Sequence, residues 1–433
     1  MRHARSRPRT LLPALLAVLV VLGTAGVALA LGRVDGARTP AAAAASSPGE
    51  PSSTPTTPTP TPTPTPDPDA EFTLVAAGDV LTHLALDADA RTGDDYDFSN
   101  LLAPLDPWVE GADLALCHLE VPVAPPGVRP SGFPVFAAPP HIVTDLAEQG
   151  WDGCSTASNH SVDRGFAGVS ATLDAFDAAG LGHVGTARSA AEEAQPQLYR
   201  LERAGQTITV AHIAAAYGTN GMPVDPDKPW SVDLLDTAHL IAQATAARQA
   251  GADLVVASVH CCVEYRTEPT DQQLEVDQQL ADSGVIDLVI GHHAHVPQPV
   301  AKLAGGPRGE GMWVAYGLGN FVSNQDEHCC AAETAAGILL TAHIWSPGAF
   351  AAEGRAAGPA RVTGVEWTPI TVDRLGGHEV HVLTDIPDGT ATLSAATVGA
   401  RLARVTAAAG PAAPMRTAPP MPTGDRPVVV PRA

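Results

Sequence analysis

The chain has 433 residues and carries 47 Asp and Glu against 25 Lys and Arg, a formal charge of −22. Residues 1–39 hold six arginines and one aspartate, +5 in all, so the remainder carries −27 and disfavours nucleic acid or an anionic membrane surface as partners. A polyanionic substrate is also repelled at long range, and holding one needs a local arginine cluster or a metal ion.

The first segment is the most legible. Arg2, Arg5, Arg7 and Arg9 precede Leu11–Gly32, a run without a charge that as a helix spans about 33 Å, enough for a bilayer's hydrocarbon. Residues 1–32 therefore read as a membrane-targeting segment with a cytoplasmic N-terminus and an exported remainder. It serves either as an anchor or as a signal peptide cleaved after Ala30, where "ALA" resembles a cleavage site. Residues 33–70 change to Ala, Ser, Thr and Pro, with "TPTTPTPTPTPTPDP" at the centre, a polyproline-like linker whose stretch from Thr54 to Pro68 reaches about 46 Å. The folded domain is expected at 71–407, and the Ala/Pro-rich residues 408–433 are expected to be a disordered tail.

Within the domain, apolar runs alternate with helical patterns. "FTLVAAGD" (72–79), "ADLALCHLE" (112–120) and "WDGCSTASNH" (151–160) read as strands. "PPHIVTDLAEQG" and "GFAGVSATLDAFDAAG" have helical spacing and stop at glycine. Further on come the strands "QTITVAHIAA" (206–215), "LVVASVHC" (254–261) and "VIDLVIG" (285–291), separated by the helical "SVDLLDTAHLIAQATAARQAGAD" and "DQQLEVDQQLADSG". Such alternation implies an α/β domain whose sheets are covered by helices. After Gly309 the pattern turns to strands with few helices, as in "GMWVAYGLGNFVS", "TAAGILLTAHIW" and "ARVTGVEWTPITVD", which predicts a second sheet or an antiparallel continuation.

Six cysteines in an exported chain suggest disulfides. Cys117 and Cys154, at apolar runs, read as buried small side chains. Bridges between the doublets Cys261-Cys262 and Cys329-Cys330 would close about seventy residues, stabilising by up to roughly 4 kcal/mol in the chain-entropy model.

In α/β proteins ligands bind beyond the carboxyl ends of the strands. Here the runs end at Asp79, Glu120, Asn159-His160, His260 and the cluster His292, His293 and His295, with Asn320 in a similar place. Any one of these alone is ordinarily a cap, a turn or a structural histidine. Together they are the donor types that hold Zn, Mn or Fe.

"AGDVLTH", "LCHLEVPV", "ASNHSVDRG", "VHCCVEYRTEP", "GHHAHVPQ" and "YGLGNFV" occur in the order of the motifs of the CapA-like poly-γ-glutamate capsule proteins, and over about residues 71–325 the chain resembles that family of the metallophosphoesterase-like (calcineurin-like) superfamily. The resemblance implies a four-layer α/β/β/α sandwich of metallo-dependent phosphatase type and one or two divalent ions (Mn, Zn, Fe or Mg). It also implies a role in making or exporting poly-γ-glutamate or a related anionic envelope polymer, outside the cytoplasm, tethered by the N-terminal segment and working with a polymer synthase or export complex. Asp79, Glu120, Asn159, His260, His293 and His295 fall at ligand positions, with His292 competing, and His160 falls at the histidine that protonates a leaving group. Gln298 and Asn320 are motif positions without an assigned role. Glu264 and Tyr265 line a groove or else pair with Arg266 or solvent.

Two departures stand out. The superfamily's first strand carries Asp-x-His, whereas Asp79 is followed two residues on by Leu81, and His83 is too far along to be assumed a substitute. Where Trp-Gly usually follows the fourth motif's histidine, this chain has Cys261-Cys262, expected to bridge to Cys329-Cys330 and brace the rim. A site of this kind either hydrolyses a phosphoester or amide, which makes a secreted metallohydrolase the alternative function, or holds glutamate carboxylates without breaking a bond.

Overall fold

The structure, a computed structural model, describes residues 65–432, all in one compact unit. The expected membrane-targeting segment and the linker up to residue 64 lie outside the described residues. Among the described residues no helix is long and apolar enough to cross a membrane.

The first half comprises β1 (Ala70–Val80), α1 (Leu84–Asp89), a hairpin of β2 (Arg91–Thr92) and β3 (Asp95–Tyr96), α2 (Ser99–Leu102), α3 (Asp106–Glu110), β4 (Leu114–Leu119), α4 (His141–Gln149), β5 (Gly153–Ser155), α5 (Gly165–Ala179) and β6 (Gly182–Val184). The middle comprises α6 (Ala190–Glu193), β7 (Gln197–Arg203), β8 (Gln206–Ala216), α7 (Thr237–Gln249), β9 (Leu254–His260), α8 (Asp271–Asp282) and β10 (Leu288–His292). The last part holds β11 (Val300–Leu303), β12 (Met312–Ala315), β13 (Asn320–Val322), β14 (Ala336–Ser346), β15 (Arg361–Asp373), β16 (Glu379–Val382), α9 (Ala395–Ala409) and β17 (Val428–Val430).

Local chemistry sets the helix ends. Thr270 caps α8 in a reciprocal box with Gln273, and α4 and α5 stop at Gly150 and Gly180, whose φ of 110° and 74° a β-carbon would oppose. Two sheets result. One runs β16-β15-β14-β1-β4-β5-β6 with β13 beside β1, and the other runs β11-β12-β10-β9-β8-β7-β17. Strands β1, β4, β5 and β6 are parallel, while β14, β15 and β16 continue that sheet antiparallel.

Period-two alternation sorts the side chains into layers. In β1, Leu74 and Ala76 join Leu116, Val210, Val256 and Ile290 in the core between the sheets. Val75 and Ala77 face the other way, against Trp108, Ile142 and Phe176 of the first helical layer. In the second sheet Ile213, Ala257 and Val289 pack on Leu240, Ala244 and Leu280 of α7 and α8. The order is helix, sheet, sheet, helix, the four-layer sandwich expected.

Burial has an electrostatic consequence on α8. Asp277 is 4% exposed, and burial pushes its carboxyl from 3.8 up to about 8. Because its pKa is raised on folding, the group favours the fold at low pH and that contribution is lost as pH rises from about 4 through 8. Asp277→Asn is therefore expected to leave unfolding near pH 4 almost unchanged and to stabilise by on the order of 3 kcal/mol at pH 9, read by urea denaturation. Equal gains at both pH values would contradict this.

Two expectations are corrected. Residues 408–432 are not a disordered tail. Helix α9 runs to Ala409, the Nε1 of Trp367 donates to Ala413 O at 2.9 Å, and Thr423 N donates to Asp113 Oδ1 at 2.7 Å. Strand β17 then pairs antiparallel with the edge strand β7, and the Arg432 guanidinium donates to the carbonyls of His183 and Glu192. A Pro-rich segment cannot build a core, but its free backbone can cover sheet edges, which composition does not register. The cysteine pairing also differs. Each doublet bridges within itself, Cys261 to Cys262 and Cys329 to Cys330, and Cys117 and Cys154, neighbours across β4 and β5 with Cα atoms 4.3 Å apart, are bridged rather than free. The doublets lie in different surroundings. Cys261 packs under the helices of the second sheet, while Cys329 and Cys330 cap the loop at Asp326, whose carboxylate accepts from Arg374 at the end of β15.

Candidate metal centre

Strand register builds the centre. Across the first sheet Asn320, Asp79, His118 and Ser155 stand side by side on β13, β1, β4 and β5. Across the second, Ala216, His260 and His292 do the same on β8, β9 and β10. Both rows lie at the ends of their strands, where the chain passes into loops. Gly78 permits the crowding in the first row, since a β-carbon there would sit 1.9 Å from the Gly319 carbonyl oxygen, which accepts the Asp79 amide.

Two groups of donors result, each with ligand atoms within 4.8 Å of one another: Asp79, His118 and His260, and Glu120, His293 and His295. Asp79 and Glu120 are fully buried, and none of their four carboxylate oxygens has a directed hydrogen bond. Imidazoles surround them instead. His295 Nδ1 lies 3.0 Å from Asp79 Oδ2, and its Nε2 lies 3.6 Å from Glu120 Oε1. His292 Nδ1 is 3.5 Å from Asp79 Oδ1, and neither His292 nitrogen has a hydrogen-bond partner. His293 and His295 follow β10 with φ of 82° and 56°, left-handed backbone that is costly for histidine and found mostly where function holds it.

Partners behind the centre orient it. Asn320 Oδ1 faces His295 Nδ1 at 3.1 Å, and the Asn320 amide donates to Gln325 Oε1 and Thr334 O, which fixes which atom faces the ring. Asn159 Oδ1 lies 3.0 Å from His260 Nε2. His160 presents Nδ1 to Asp163 Oδ2 at 2.8 Å, and the same oxygen accepts the Phe136 amide at 2.7 Å. The far nitrogen of His160 looks toward Asn220, whose amide is 3.5 Å away.

Charge follows burial. Desolvation raises the Asp79 carboxyl, but His292 and His295 more than reverse this and hold it well below the ordinary range. Glu120 is lifted by burial to about 7. Burial alone would lower His295, yet Glu120 and Asp79 carry it up to about 10. His118 and His260 are pushed well down by burial and neighbouring imidazoles, and His293 to about 3, so these rings are neutral, the form that binds metals.

The sequence-derived residues divide clearly. Asp79, Glu120, Asn159, His160, His260, His292, His293 and His295 converge. Asn320 touches His295 from behind. Tyr265 stands at the mouth with its ring 6.0 Å from that of His295, beside the half-buried Glu264. Gln298 does not reach the centre, because its amide donates to Arg266 O at 2.8 Å and accepts from Gln273 at 2.7 Å, bracing the loop before α8. His83 turns back to the Leu81 carbonyl at 3.1 Å and stays out of both groups.

Sequence reasoning missed His118, Asp163, Tyr217 and Asn220. The first two had a signal. In "CHLE" His118 and Glu120 are two apart and so share a strand face, and in "NHSVD" an acid follows His160 by three residues. Tyr217, ring 4.5 Å from His293, and Asn220 sit on the loop after β8, whose sequence carries no such marker.

Known proteins resemble this chain in sequence. A family model described as bacterial capsule synthesis protein PGA_cap matches residues 73–325, more than half of the chain. The chain is 29% identical over 180 residues to the PGA biosynthesis protein CapA of Bacillus subtilis, covering 42% of this chain and 44% of that protein. It is 27% identical over 241 residues to a "probable polyglutamine synthesis accessory protein" of Mycobacterium tuberculosis, covering 51% and 60%. The matches thus span less than two thirds of either relative. Similar solved structures include a 5'-nucleotidase precursor from Thermus thermophilus (13% identity, 77% of this chain, 58% of that one, TM-score 0.41) and the NAD nucleotidase of Haemophilus influenzae (13%, 78%, 62%, 0.43).

Proposed function

The chain belongs to the bacterial capsule synthesis protein family PGA_cap, and from that premise we propose that it acts at the cell envelope in the synthesis or export of poly-γ-glutamate or a related anionic polymer, through a site that holds one or two divalent ions. The carrying observation is the pair of fully buried carboxylates, Asp79 and Glu120, with four oxygens free of directed hydrogen bonds and imidazoles on every side. An unmet buried carboxylate costs several kcal/mol, and a divalent cation offsets that for both groups at once. Imidazole with carboxylate suits Zn, Mn or Fe, and Mg less well.

Net charge supports a metal-dependent hold on the polymer. The exported part, at −27, repels a polyglutamate chain, so ions at the centre are what make a carboxylate-rich ligand approachable. Leu11–Gly32 provides the tether to the membrane in this reading, and a synthase or export complex is the natural neighbour.

A second reading, metal-dependent hydrolysis of a phosphoester or amide, is favoured by one observation: His160 is held at Nδ1 by Asp163 and turns Nε2 toward Asn220, from where the protonated ring would pass a proton to a leaving group. A bound ion supplies Lewis-acid polarisation of the substrate oxygen. Asn220 and Asn159, 3.3 Å apart, border the same space and help to orient what enters it.

Elemental analysis of the purified full chain, wild type and His293→Ala, tests the metal reading. No metal in the wild type, or unchanged content in the variant, would sink it. For the hydrolase, His160→Ala is expected to lower turnover of a phosphodiester by about 10²–10⁴, with Asp163→Asn a milder loss in the same direction. A metal-loaded wild type without turnover would leave polymer binding as the function.

A further inference from the structure

We propose that His118 is a metal ligand, supplying from β4 the imidazole that β1 lacks; the inference rests on the metal reading above. Two residues after Asp79 stands Leu81, 2% exposed and packed into the helix-side core, unable to coordinate anything. His118 lies directly across from Asp79 in the β1–β4 pairing, so the neighbouring strand delivers a ring to the same spot.

Orientation supports coordination. Ser155, next across the sheet, holds His118 Nδ1 at 2.8 Å, and His292 stacks on the ring with centroids 4.1 Å apart at 18°, which fixes its plane. The remaining nitrogen, Nε2, faces His260 Nδ1 at 3.0 Å, while His260 is held at its own far nitrogen by Asn159. Two buried rings, one from each sheet, thus meet at hydrogen-bond distance within the donor group that contains Asp79, and a cation bound there would replace that hydrogen bond as the partner of both. Holding the outer nitrogen of a ligand ring is how proteins aim the inner one. One carboxylate with two imidazoles selects ions of the zinc and cobalt type over magnesium or calcium at this position.

The test uses the full chain in detergent, stripped with chelator and titrated with Co²⁺, reading stoichiometry by elemental analysis and coordination by the visible spectrum. His118→Asn is expected to weaken one ion's binding by at least about 100-fold and to change the cobalt spectrum. Ser155→Ala, which keeps the ring, is expected to weaken it by about 10–100-fold. His83→Asn, outside both donor groups, serves as the matched control and is expected to match the wild type. Unchanged stoichiometry, affinity and spectrum in His118→Asn would overturn the assignment while leaving the metal reading intact, whereas a wild type that binds no ion removes both. If His118→Asn fails to fold, Ser155→Ala decides, and wild-type affinity in it overturns the inference.

Discussion

Loading the stripped protein with Zn²⁺ or Mn²⁺ is expected to raise its thermal midpoint by roughly 3–5 °C at a free ion concentration a hundred times Kd, and Asp79→Ala is expected to abolish the rise. The size follows from linkage. A ligand that binds only the folded state at that excess stabilises by about 2.7 kcal/mol, and a chain of this length converts each kcal/mol into little more than a degree. The donors come from β1, β4, β9 and the loop after β10, and unfolding separates Asp79, His118, Glu120 and His260 from the local run of His292, His293 and His295, so the unfolded chain keeps only a partial, weaker site. Asp79 is the variant of choice because it sits between His292 and His295, within 3.5 Å of both. A midpoint indifferent to metal in the wild type, or an equal rise in the variant, would contradict the centre. Differential scanning fluorimetry with a chelator control is sufficient to read it.

Deleting residues 411–433 is expected to cost at least about 3 kcal/mol of stability, measured by urea denaturation of the otherwise complete chain. Three losses contribute. The Trp367 indole, 2% exposed, loses its acceptor at Ala413, and an unsatisfied buried donor costs about 1–3 kcal/mol. The buried pair of Arg203 and Asp113 loses the Thr423 amide and hydroxyl that complete its bonding. The edge of β7 loses β17, exposing a row of backbone groups that invites pairing with another chain. Aggregation on storage should therefore accompany the lower midpoint. A truncated chain as stable as the parent would mean that the tail merely rests on the surface.

The alternating pattern was legible because each run is long enough to reveal its period. Strands β1, β8 and β9 fall within a residue or two of their expected limits, and the helices ending at Gly150 and Gly180 stop where the glycines stand. "WDGCSTASNH" yielded only the three-residue β5, since its polar half leaves the sheet to carry Asn159 and His160. Helix α9 was missed because "AATVGARLARVTAAA" is rich in alanine and sits between segments that read as irregular. For the centre, donors at strand ends were visible as a coincidence of residue types. His118 was hidden inside an apolar run, and nothing in one chain says which neighbouring strand will stand beside it. The register that pairs Asp79 with His118 is a property of the sheet. The doublet cysteines show a related limit, since spacing cannot tell a short local ring from a long one.

The division of donors between the two sheets has a mechanical consequence. Asp79, His118 and Glu120 hang from one sheet, and His260 and the histidines after β10 hang from the other, so an ion held among them would act as a rivet through a seam otherwise held by apolar contacts. Sliding one sheet over the other costs packing gradually, because apolar contacts have no preferred direction, whereas the same shift pulls every donor off its aim. Occupancy of such a centre would thus gauge sheet alignment, and a force on the chain that shears the sandwich would be registered first as release of the ion.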